Sequence, residues 1–118
     1  MVMLLCLVAL PAFAQKAKVN DYALRLTSLL SDTQGKANLG PAVWKALANE
    51  AVSLANKLYA ASVIQRPARK LAAEVQTHVR AMRHAANIGD AAGAKAHAAQ
   101  ALPYLYQLID WAQPATPK

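Results

Sequence analysis

Apolar residues recur along most of this chain at spacings of three and four, the signature of helices that each bury one stripe. From residue 66 onward the pattern is clearest. Ala72, Val75, Val79, Met82 and Ala86 form one seam, with Leu71, His78 and Ala85 flanking it, and Ala94, Ala98, Ala101, Leu105, Leu108 and Ala112 form a second. Upstream, Trp44, Leu47, Ala51, Leu54 and Leu58 follow one another at three and four, and Tyr22, Leu26, Leu29 and Leu30 share a face with Ala23 between them. Four stripes of this length predict an all-α protein, an antiparallel up-down-up-down four-helix bundle over residues 20–112.

The residues between the stripes mark where each helix starts and stops. Asn20 or Asp21 is placed to cap the first helix, which the run Ser31, Asp32, Thr33, Gln34, Gly35 ends. Pro41 suits the first turn of the second helix, where its missing donor costs nothing. The residue before a proline avoids helical geometry, so Arg66-Pro67 separates the second helix from the third. Gly89 supplies a left-handed C-terminal cap and Asp90 an N-cap, which together predict a tight turn between the third and fourth helices. Pro103 falls inside the fourth helix, where a proline removes a hydrogen bond, kinks the helix and costs about 3 kcal/mol. Residues 113–118, with Pro114 and Pro117, read as a loose tail.

The first nineteen residues follow other rules. Met1 to Leu10 is an apolar run too short to span a bilayer comfortably, Pro11 breaks it, and Ala12-Phe13-Ala14 presents the small-x-small pattern of a signal-peptidase site. Residues 1–14 are therefore expected to be a cleaved signal peptide, although no basic residue precedes the run, and 15–19 a short flexible lead. The competing reading is an uncleaved anchor. Cys6, the single cysteine, leaves with the signal, so the mature chain forms no disulfide. It has no small residue just ahead of it, which argues against a lipoprotein box. A cysteine-free exported helical domain suits a Gram-negative periplasm, where the core alone must supply stability.

All 13 basic and 6 acidic residues follow Ala14, so the net charge of +7 belongs to the mature part. Such a charge attracts anions: lipid headgroups, other anionic envelope components or an acidic protein face. Export argues against nucleic acid. In the third helix Arg66, Arg69, Arg80 and Arg83 share a face, because eleven residues are about three turns, and only Glu74 opposes them. Arginine forks suit carboxylates and phosphates, and these four are the candidate partner-binding residues. A solvated face is the competing reading. Pro103, Tyr104, Tyr106 and Trp111 are a candidate pocket, since a kinked helix lined with aromatics can open a space between helices; a plain core stripe is the alternative.

Metal chemistry has one candidate set. His78 and Met82 lie one turn apart, and in an antiparallel hairpin His97 falls within about one turn of His78, so imidazole and thioether donors could converge on copper, zinc or a haem iron. Flank histidines beside a core methionine are the alternative. His84, near the end of its helix, is accounted for by the helix dipole. No catalysis is expected. After Ala14 there is no cysteine nucleophile and no glycine-rich phosphate loop, and the six carboxylates are scattered with none within four residues of another.

The layout of residues 20–112, and the turn from Ala86 through Asn87, Ile88, Gly89 and Asp90 to Ala96, resemble the periplasmic four-helix bundles of the cytochrome b562 type. That family holds haem with a methionine early in its first helix and a histidine late in its fourth. Neither stands at the matching place here, so the resemblance implies the bundle and no haem; Cys-x-x-Cys-His, the signal for covalent attachment, is also missing. The sequence thus points to a small periplasmic binding or accessory protein that uses its third and fourth helices, with metal or haem handling through His78, Met82 and His97 as the alternative. A homodimer is compatible with either.

Overall fold

A computed structural model describes residues 2–35 and 40–113, with side chains described from Lys16 onward. These residues form four helices, α1 (Val2–Gly35), α2 (Pro41–Ser62), α3 (Arg66–Asn87) and α4 (Ala91–Ala112), and no strand. Each helix packs on its neighbours in the order α1, α2, α3, α4 and back to α1, while α1 and α3 sit across the diagonal from each other. This is the expected four-helix bundle. Among the described residues no helix is long and apolar enough to cross a membrane.

The seams of α3 and α4 are buried as the spacing predicts. Ala72, Val75, Val79, Met82 and Ala86 lie inside, as do Ala94, Ala98, Ala101, Leu105, Leu108 and Ala112. Helix α2 departs from its predicted stripe. It buries Trp44, Ala48, Ala51, Val52, Ala55 and Leu58, leaving Leu47 and Leu54 half-buried at the margin. The physical reason is the closeness of the helices. An alanine at the centre of a seam lets two backbones approach, and the bulkier leucines cover the groove from its edge, where they still lose much of their exposure.

Helix α1 also differs from the expected 20–32. The lead foreseen at residues 15–19 belongs to the helix, and Val19 is fully buried in register with Ala23, Leu26 and Leu30. Nothing between Lys16 and Thr33 breaks a helix, and Val19 extends the seam by one more turn, which repays its ordering. Asn20 and Asp21 consequently sit within the helix instead of capping it. Asp21 pairs with Arg25 at 3.2 Å, and Asn20 Oδ1 accepts a bond from Gln113 Nε2 at 3.1 Å, fastening the end of α4 to α1. At the opposite end Gln34 Nε2 donates to the Lys95 carbonyl at 3.0 Å, so α1 and α4 are joined at both ends. Of the expected tail, only Gln113 lies within the described residues.

The α3–α4 turn is built by its capping residues. Gly89 adopts φ 80°, and the Gly89 and Asp90 amides donate to the carbonyls of Ala86 and Ala85, the paired closing bonds of a Schellman motif. Asp90 Oδ1 then accepts from the Gly93 amide at 2.8 Å, capping α4. Gly93 keeps that carboxylate in place, because a Cβ there would overlap it. Asp90→Ala should cost about 1 kcal/mol, read as a fall in the thermal midpoint; an unchanged midpoint would mean that the glycine cap alone fixes the turn.

Candidate functional site

Helix α3 owes its basic face to the periodicity of its sequence. Burying Ala68, Ala72, Val75, Val79 and Met82 against the bundle turns the intervening positions outward. Arg66, Arg69 and Arg80 are exposed, and Arg83 is half-buried on the margin. The face divides into two groups about 16 Å apart along the axis, since eleven residues separate Arg69 from Arg80. At the N-terminus Arg66, Pro67, Arg69 and Lys70 line a shallow groove of about 340 Å³. Nearer the C-terminus Arg80 Nη2 donates to Asn56 Oδ1 of α2 at 3.4 Å, an acceptor shared with Gln76 Nε2 at 2.9 Å. Lys70 was not among the sequence candidates. Its place beside Arg69, on the side opposite Ala68 and Ala72, was the available signal.

Among the described residues these cations have no acidic partner within 4.0 Å. Among the described residues the ion pairs within 4.0 Å are Asp21 with Arg25 and Glu74 with His78, and neither involves a lysine or arginine of α3. The first turn of α3 contains no acidic residue, and the helix dipole already makes that end positive. Like charges gathered there work against helix stability by a few tenths of a kcal/mol each. Folding alone gives no reason for them.

The other edge of α3 faces α4. His78 stacks on Tyr104 with ring centroids 5.6 Å apart and planes inclined by 16°, and its Nε2 lies 4.0 Å from Glu74 Oε2. This stack, invisible in spacing, sets the register of the hairpin: Tyr104 is level with His78. His97 lies seven residues from Tyr104, about 10 Å along the helix, and its Nδ1 sits 3.3 Å from Gln100 Oε1. Met82 is fully buried in the α3 seam. The three donors proposed for a metal thus have separate surroundings, and among the described residues no group of three or more His, Cys, Asp or Glu side chains is placed to hold an ion.

The aromatic set is likewise distributed. Tyr104 is engaged by His78, and the Trp111 ring has the Lys16 ammonium 4.8 Å above its centre, a cation–π contact between α4 and α1. Tyr106 points away and is 54% exposed, as its two-residue offset from Tyr104 requires, and Pro103 is exposed on the outer side of α4. Tyr104 and Trp111 tie α4 to its two neighbours, and Tyr106 stands apart from both. Neither a family model, nor a curated protein sequence, nor a solved structure matches the chain.

Proposed function

We propose that this chain is a small exported, periplasmic binding or accessory protein without catalysis, and that the basic face of α3 is where it meets an anionic partner. The observation that carries the reading is the set of unpaired cations on α3, which includes three in its first two turns, where they oppose the helix dipole. A charge arrangement that weakens the helix is retained when it serves a contact. Helix α4 acts behind that face as a brace, through the His78–Tyr104 stack, and Pro103 marks its outer side.

Export rests on the sequence of residues 1–14, and the likeness to cytochrome b562-type bundles supports it at the level of layout only. The test is recovery of envelope material by the immobilised protein. Replacing Arg66, Arg69, Arg80 and Arg83 together by Gln should lower recovery of the partner at least roughly tenfold, since each screened cation–anion contact is worth a few tenths to 1 kcal/mol. Recovery equal to that of the parent chain would overturn the proposal.

A further inference from the structure

Within the reading of α3 as an anion-binding face, and resting on it, we infer that the end of the bundle formed by the α2–α3 turn docks on an anionic phospholipid surface. The turn exposes two adjoining aliphatic side chains, Val63 at 41% and Ile64 at 67%. Three cations, Arg66, Arg69 and Lys70, follow immediately and line the groove described above. On the other side of the same tip Lys18 and Lys57 line a second hollow of about 240 Å³ with Tyr22, Ala60 and Ala61, so α1 adds to the charge. Lys16 lies one turn before it, over Trp111.

Two carboxylates share this end. Asp21 is already paired with Arg25, and Asp110 is exposed on α4. The six cations outweigh them.

The opposite end provides a comparison within the molecule. It too exposes aliphatics, Val43 at 46% and Ile88 at 66%, but its described cations, Lys45, Arg83 and Lys95, are divided among three helices, and Asp32 and Asp90 stand at the same end. Among the described residues the α2–α3 end alone has two adjoining exposed aliphatics followed directly by three cations on one helix. A bilayer of anionic lipid matches both features, with negative headgroups at the surface and hydrocarbon just beneath. Lysine and arginine stems are long enough to hold their charges at the headgroups while Val63 and Ile64 enter below. A nucleic acid would instead call for hydrogen-bonding edges or stacking rings at the tip.

The path of α1 agrees. The helix leaves the bundle at this same end and continues to Val2 through the apolar run of the sequence. With it cleaved, the new α-amino group at Gln15 adds a further, largely protonated cation.

The experiment is co-sedimentation of the chain beginning at Gln15, which keeps every described buried residue from Val19 to Ala112. Vesicles would be phosphatidylcholine alone, or phosphatidylcholine and phosphatidylglycerol in equal parts. Binding is expected to the mixed vesicles, to weaken as salt is raised, and to be nearly absent with phosphatidylcholine. Val63→Ser with Ile64→Ser, both at exposed positions, should lower partitioning about tenfold by removing the apolar insertion. Arg66→Gln, Arg69→Gln and Lys70→Gln together should lower it about a hundredfold. Lys45→Gln with Lys95→Gln, at the opposite end of the bundle, is the control for charge far from the tip, and should change it severalfold at most, because those residues lie beyond the Debye length of about 8 Å. Circular dichroism confirms the fold of each variant. Equal binding to neutral vesicles, or indifference to the serine pair, would overturn the inference. If no vesicle is bound while envelope recovery still requires the four arginines, the partner is an acidic protein face: the lipid inference falls and the anion-binding reading stands.

Discussion

Pro103→Ala should raise the melting temperature of this protein by about 10 °C. The proline sits in the interior of α4, between the buried Ala101 and Leu105, yet is itself exposed. It supplies no amide, so the Ala99 carbonyl lacks its helical partner, and the ring crowds that carbonyl. Ala99 is exposed too, at a position on α4 that solvent reaches. The remaining penalty is of the order of 3 kcal/mol, from which roughly 1 kcal/mol is subtracted because proline also restricts the unfolded chain. For a domain of this size about 2 kcal/mol corresponds to roughly 10 °C in midpoint. A thermal melt followed by circular dichroism checks it. A lower midpoint would show that the proline is required to seat Tyr104 against His78, and that the residue is structural at that contact.

The sequence made the bundle legible wherever the buried positions are also the most apolar. In α3 alternation of valine and methionine with polar residues leaves one choice of stripe, and that stripe is the one buried; in α4 four of the six seam positions are alanines, and Leu105 and Leu108 fix the face. In α2 leucine outranks alanine in hydrophobicity, so spacing favours Leu47 and Leu54, whereas packing favours Ala48 and Ala55, whose small size admits the neighbouring helix. Hydrophobicity and closeness of approach are different quantities, and a one-dimensional pattern ranks only the first. Helix α1 starts earlier than its polar residues suggest, because Asn20 and Asp21 resemble caps although Val19 carries the seam past them. For the candidate site, the arginine face follows from helical periodicity. The facts that divide it depend on register between helices: Arg80 reaching Asn56, Tyr104 rather than His97 level with His78, and Lys16 over Trp111. Register is set by loops and interlocking side chains, so it does not appear in the spacing along any one helix.

Leu105→Ala should have the largest effect of any single truncation in α4, lowering stability by roughly 3–5 kcal/mol. Leu105 is fully buried, and the described core has few side chains of its size: Leu26, Leu30, Leu58, Met82 and Leu108 are the others that are fully enclosed and as large. Alanines fill most of the remaining seam positions, and an alanine has no longer side chain with which to move into a gap. The cavity therefore persists, and its cost is added to the lost transfer free energy. Domains of this size hold about 5–15 kcal/mol in all, so the variant should lie close to the edge of folding. Ile109→Ala is the matched control. Ile109 is only partly buried, and its truncation should cost about 1 kcal/mol. Urea unfolding of both variants, with unchanged slopes, measures the difference. A loss below about 1 kcal/mol at Leu105 would mean that the helices close on the gap, a degree of adaptability that a core pinned by buried alanines should not have. The consequence reaches the basic face, because Leu105 follows Tyr104 in the chain and lies in the seam that holds α4 behind α3. Loosening that seam frees the His78 stack, and with it the helix that presents the arginines.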